Sequence, residues 1–252
     1  MGSLKTDFSI FKKFNFENPP LGIKYFFRKP EGIEPLDKKL ALCEMLAEAH
    51  RRKKPFYFTG ENESCFGRSF LGMMGGSQHF ADGGELGIKF EIFQDGRANI
   101  RLRRFMQNME PGSVNYVAIA PFDQLTYEPD LLIIMAKPNQ AEIVLRALTY
   151  STGEMYESKS TIAGGCSWLF IYPYLSGKVN YMVTGLAFGM KARQVFPEGW
   201  LLISVPYQWI PTITKNLEEM NWNIPAYTMS KEEFEPYERR IVEEFFKAQS
   251  KS

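Results

Sequence analysis

Hydrophobic and polar residues alternate along this chain in two rhythms, and the switches between them predict a succession of strands and helices. Leu21 to Phe27 reads as a strand. Leu36 to Lys54 reads as a helix, because Leu40, Cys43, Leu46, Ala47 and His50 recur at three- and four-residue spacing. Pro55 ends that helix, and Pro55 to Thr59 forms a short aromatic strand. The polar turn Glu61-Asn62-Glu63-Ser64 leads into a short helix from about Phe66 to Met73. The glycine-rich stretch Met74 to Gly87 fits no element and reads as a mobile loop. Between Glu85 and Met109 the apolar positions fit two helices broken at Asp95-Gly96.

Tyr116 to Ala120 and Leu131 to Ala136 read as strands, with a helix from Gln140 to Leu148 after the second. Asn115-Tyr116-Val117 is echoed by Asn180-Tyr181-Met182, and Pro138-Asn139-Gln140 after one strand by Pro206-Tyr207-Gln208 after another. These echoes suggest either a duplicated strand-connection-strand-helix unit or two ordinary connections with proline near a helix start. At the end of the chain, Ser230 and Glu233 form a capping-box pair. Phe234, Tyr237, Ile241 and Phe245 then hold one apolar stripe, so a closing helix is expected. Strands alternating with helices imply an α/β or mixed α+β fold, a layered sheet with flanking helices. The length suits a single compact domain over 1–252, with halves at 1–110 and 111–252 as the alternative.

Charge narrows the partners. Thirty basic and 29 acidic residues leave a formal charge of +1, too little to draw in nucleic acid. The run Arg51-Arg52-Lys53-Lys54 falls at the end of the first predicted helix, where cations offset the dipole. No apolar stretch reaches the roughly 20 residues that a membrane-spanning helix needs. The first residues lack the apolar core of a secretory signal. Three cysteines do not make a disulfide framework. These features together suggest a cytoplasmic protein with a reduced thiol set.

Cys65 and Cys166 attract attention because each stands before a predicted helix, where unpaired N–H groups favour thiolate. Cys166 follows Gly164-Gly165, and Arg68, Lys191 and Arg193 are candidate anion-binding neighbours. His79 is a candidate metal ligand with the two cysteines, or else a solvated loop residue. Cys43 lies on the apolar stripe of a helix and reads as an inert core residue, and His50 as a packed or capping histidine. Phosphate loops, C-x-x-C, H-E-x-x-H and G-x-S-x-G are absent, so no particular cofactor or reaction is indicated.

The segment Glu61-Asn62-Glu63-Ser64-Cys65-Phe66-Gly67, continuing to Leu71-Gly72-Met73, resembles the uncharacterised DUF169 family. Pro20-Leu21-Gly22-Ile23-Lys24, Pro129-Asp130 to Tyr150, and Cys166 with Pro173-Tyr174-Leu175-Ser176-Gly177 look like further parts of that pattern. The resemblance strengthens Cys65 and Cys166 as site candidates without supplying a reaction. It also implies a further cysteine near Gly185 to Arg193, and this chain has none there.

Three readings follow. The first is a pocket near the two cysteines that takes a small anionic metabolite or cofactor, whether for binding or for catalysis. The second is thiol-based metal or redox chemistry. The third is a non-catalytic subunit of a complex, suggested by the aromatics of Tyr207-Gln208-Trp209-Ile210-Pro211 and by the tail after Trp222; a homo-oligomer is compatible with each.

Overall fold

The computed structural model describes residues 4–74, 86–155 and 157–249. It divides into two compact units, Met1–Glu218 and Glu219–Ser252. The larger unit is a mixed α/β layer structure built on one seven-stranded sheet, in the order β2-β3-β4-β1-β5-β7-β6. The strands are β1 (Leu21–Phe26), β2 (Glu34–Pro35), β3 (Phe56–Phe58), β4 (Tyr116–Pro121), β5 (Leu131–Ala136), β6 (Asn180–Val183) and β7 (Leu201–Pro206). β1 pairs with β4 along its whole length, from Leu21↔Pro121 to Phe26↔Tyr116, so the sheet draws on both sides of the expected halves. β2 and β3 run parallel, and the other pairings are antiparallel.

β5 reads Leu-Leu-Ile-Ile-Met-Ala, and every one of its residues is buried. Such a continuous apolar run belongs to a strand covered on both faces. Leu131, Ile133 and Met135 join the main core with Leu42, Met45 and Leu46 of α1 (Leu42–Arg52). The alternate residues Leu132 and Ile134 project to the opposite face. There α5 (Pro138–Thr149) packs against β5 and β7, burying Ala141, Val144, Ala147 and Leu148. Fully burying side chains of this size is worth about 1.5–3 kcal/mol each for the larger ones, which makes this sandwich the main source of stability.

α1 begins six residues later than its periodicity predicts. Leu36 and Leu40 fit the helical spacing, but their N–H groups donate to Tyr57 O (2.7 Å) and Asn62 O (2.9 Å) in extended backbone. Glu44 then accepts the Ala41 N–H at 2.7 Å and starts the helix. At the other end Arg51 and Arg52 lie in the last turn, and both bond Glu48. His50 is part-buried against Pro19 O at 2.9 Å, and burial lowers its pKa.

After β3 come α2 (Gly67–Phe70), α3 (Leu86–Lys89) and α4 (Gly96–Arg103), the last capped by the Asp95 carboxylate. Residues 167–171 wind as a π-helix that runs into α6 (Tyr172–Ser176). α7 (Phe188–Ala192) and α8 (Ile210–Glu219) flank β7 in sequence. The two Pro-x-Gln echoes perform different tasks. Pro138 opens α5 and Gln140 accepts the Lys137 N–H, whereas Pro206 ends β7 and Gln208 donates to Gly177 O. The strand environments differ too, since β1 lies between β4 and β5 while β6 and β7 pair directly. In the smaller unit, α9 (Lys231–Gln249) starts at the expected capping box, with Ser230 N donating to Glu233 at 2.8 Å.

Candidate functional site

The local structure around Cys65 is organised by a buried carboxylate. Glu63 is 2% exposed, and its side chain accepts N–H bonds from Leu42 and Cys65 at 2.9 Å each and from Arg68 at 3.1 Å. One anion thereby serves the first residue of α1 and the approach to α2 together, which joins the two segments that carry Cys43 and Cys65. Gly67 permits this arrangement, because a Cβ there would lie 2.8 Å from Glu63 Oε1 and 2.8 Å from Leu42 Cβ. The expected anion-binding helix start is thus occupied from within the protein.

Beside this clamp lies a cavity of about 660 Å³. Cys43, Cys65 and Cys166 all line it, as do Arg68, Arg103 and Arg193. Its walls are otherwise mainly apolar and aromatic, with Phe66, Phe70, Phe90, Phe93 and Phe188 prominent. Phe90 and Phe188 meet across the sequence with ring centroids 5.2 Å apart. Gly164 and Gly165 complete the wall next to Cys166. Gly164 has φ +72°, and a Cβ there would sit 2.5 Å from Met106 Cε, itself a wall residue. No aspartate or glutamate is among the described wall residues.

The three thiols have different settings. Burial pushes the Cys43 thiol up to about 12, with Arg193 opposing and Cys65 reinforcing the shift. Burial also pushes Cys166 well above the ordinary cysteine range, reinforced by Cys43 and Cys65. The expected dipole effect at Cys166 is therefore reversed, since desolvation disfavours the charged form. Cys65 remains part-exposed, and Arg193 donates a hydrogen bond to its sulfur at 3.6 Å. Burial works against the charge on Arg193, but the summed attraction of Cys65, Cys43, Glu44 and Cys166 outweighs it and raises the guanidinium pKa. Arg103 is half-buried, and desolvation lowers its pKa to about 10, which leaves it charged at neutral pH.

Of the residues singled out in the sequence, Cys65, Cys166, Arg68, Gly164, Gly165 and Arg193 meet at this cavity. Lys191 does not: it is exposed and pairs with Glu198 at 3.1 Å. His79, and most of the loop from Met74 to Gly87, lie outside the described residues. Cys43 is buried in the core as expected and also lines the cavity, whereas sequence reasoning missed Arg103 and the clamp at Glu63. The aromatic segment after Pro206 is only partly exposed, because Trp209 is part-buried and donates to Gly177 O at 2.9 Å and Ile210 is buried. Among the described residues no group of three His, Cys, Asp or Glu side chains is arranged to hold a metal ion, and no helix is long and apolar enough to cross a membrane.

A family model described as DUF169, uncharacterised ArCR, matches residues 9–216. The chain is similar to the uncharacterized protein MJ0308 of Methanocaldococcus jannaschii, with 24% identity over 191 residues, covering 75% of this chain and 81% of that protein. No solved structure matches.

Proposed function

The chain belongs to the DUF169 family, whose description assigns no activity, and from its cavity we propose that it binds a small molecule joining an apolar body to an anionic group. The observation that carries this reading is the wall itself, with three arginines and no carboxylate among its described residues, although Glu44, outside the wall, pairs with Arg193 at 3.8 Å. Cations beside apolar walls attract an anion more strongly than they do in bulk water, because the local dielectric is low. The volume of about 660 Å³ falls in the range of small-molecule and cofactor sites. The phenylalanines offer stacking area for a planar or aliphatic body. Arg68 and Arg193 stand on the exposed side and Arg103 deeper, so an acid group meets charge along its path.

The test uses two fluorescent probes of similar shape. 8-Anilinonaphthalene-1-sulfonate carries a sulfonate, and N-phenyl-1-naphthylamine carries no charge. Arg68→Gln and Arg103→Gln should each weaken binding of the sulfonate by about tenfold, equal to roughly 1.4 kcal/mol, while leaving the neutral probe nearly unchanged. Equal loss of both probes, or no loss of either, would count against an anion site.

That three thiols line one cavity supports a second reading, thiol-based metal or redox chemistry, although they are not grouped as a ready metal site. Elemental analysis of anaerobically purified protein separates the two. A stoichiometric metal that disappears in Cys65→Ser and Cys166→Ser would replace the anion reading.

A further inference from the structure

Three cysteines from three separate segments face one cavity, and only one of them combines exposure with a cation at its sulfur. Cys43 is buried, and Cys166, part-exposed like Cys65, has its thiol pushed up by desolvation, so both disfavour the thiolate. At Cys65 the Arg193 guanidinium lies 3.6 Å from Sγ, and charge developing on that sulfur meets a positive group. The backbone under Cys65 is fixed by its N–H bond to Glu63 at 2.9 Å, and Arg68 on the next turn is pinned to the same carboxylate. A thiol, its supporting cation and two further arginines therefore share one rigidly based recess.

We propose that Cys65 is a nucleophile for anionic electrophiles that enter this cavity, small molecules carrying a carboxylate or phosphate near an electrophilic carbon. The inference deepens the anion-binding reading and rests on it. In the step, the Cys65 sulfur gives an electron pair to that carbon, and a C–S bond forms as the bond to the leaving group breaks. The leaving group departs with its electron pair, and the thiol proton passes to water. Arg193 supports the sulfur, and Arg68 and Arg103 hold the acid group of the incoming molecule. No oxidant or further reactant is required.

The full chain is tested with iodoacetate, which is anionic, and iodoacetamide, its neutral counterpart. Rates of alkylation at each cysteine are read by peptide mass spectrometry and compared with N-acetylcysteine in the same buffer. At low ionic strength the iodoacetate-to-iodoacetamide rate ratio at Cys65 should exceed that of N-acetylcysteine by about tenfold, the scale of one partly screened cation. Cys43 and Cys166 should react more slowly with both reagents. The preference should collapse in about 1 M KCl, where the screening length is about 3 Å. This second measurement uses the unaltered protein, so it stands even where Arg193→Gln fails to fold; where that variant folds, it should lose the preference too. A Cys65 ratio equal to that of the free thiol, or faster labelling of Cys43 or Cys166, overturns the proposal. If the sulfonate probe still binds in an arginine-dependent way, only the nucleophile is wrong. If that binding is lost as well, the anion site has failed with it.

Discussion

Removing the Glu63 carboxylate should destabilise the protein more than most single substitutions, and the size of the loss follows from three hydrogen bonds. The side chain is 2% exposed and accepts from the backbone N–H groups of Leu42, Cys65 and Arg68 at 2.9, 2.9 and 3.1 Å. A hydrogen bond to a charged group contributes about 1.5–3 kcal/mol net, so three would contribute about 4.5–9 kcal/mol if they were additive. Bonds sharing one carboxylate are not additive, and water entering the space left by alanine satisfies part of the freed N–H groups. We expect Glu63→Ala to cost about 3–5 kcal/mol. Glu63→Gln keeps the shape but turns one acceptor into an NH₂ donor facing N–H groups, so it should cost about 1–3 kcal/mol. Urea unfolding followed by circular dichroism measures both values, with an unchanged m-value as the check that compactness is preserved. If Glu63→Ala lies within about 1 kcal/mol of the unaltered protein, the carboxylate is not the clamp described and the link between α1 and α2 rests on packing.

Two further outcomes test the same local physics elsewhere. Gly67→Ala should destabilise the protein, yet cost less in a Glu63→Ala background, because its Cβ would sit 2.8 Å from Glu63 Oε1; a double-mutant cycle in urea that proves additive would exclude that contact as the cause. Glu48 should govern part of the acid limb: hydrogen bonding from Arg51, opposed by burial and reinforced by Arg52 and Lys38, lowers its pKa from 4.5 to about 2. A depressed carboxylate pKa contributes stability above the unfolded value, and that stability is lost as pH falls from about 4.5 through about 2. Glu48→Gln should therefore flatten the pH dependence of the urea midpoint in that window, and an unaltered slope would show that the ion cluster contributes nothing there.

Most of the sheet was legible because its signal is local, the two-residue edge strand β2 being the exception. β5 needs only its own six apolar residues to declare a buried strand, and α5 is found from Gln140 onward, beginning two residues earlier at Pro138. The errors arise where distant groups take over the backbone. Leu36 and Leu40 carry a helical spacing, but partners at Tyr57 and Asn62 hold them extended. The same reason explains the thiols. Helix-start arguments at Cys65 and Cys166 treat the local N–H groups as available, whereas Glu63 accepts those at Cys65 and Arg68, and burial governs Cys166. Cys43 sits in the core as its apolar stripe implies, but such a stripe shows only that a residue faces inward and not that it also borders an internal space. Periodicity reports direction, and a cavity is a property of what stands opposite. Arg103 has the complementary history: on α4 it reads as one of several arginines, and only the fold brings it to the recess shared with Arg68 and Arg193. A functional reading from sequence therefore finds the polar punctuation of such a site sooner than its walls. The wall residues Cys65, Arg68, Arg103, Arg193 and the phenylalanines carry the chemistry proposed here only because seven strands and their helices bring them together.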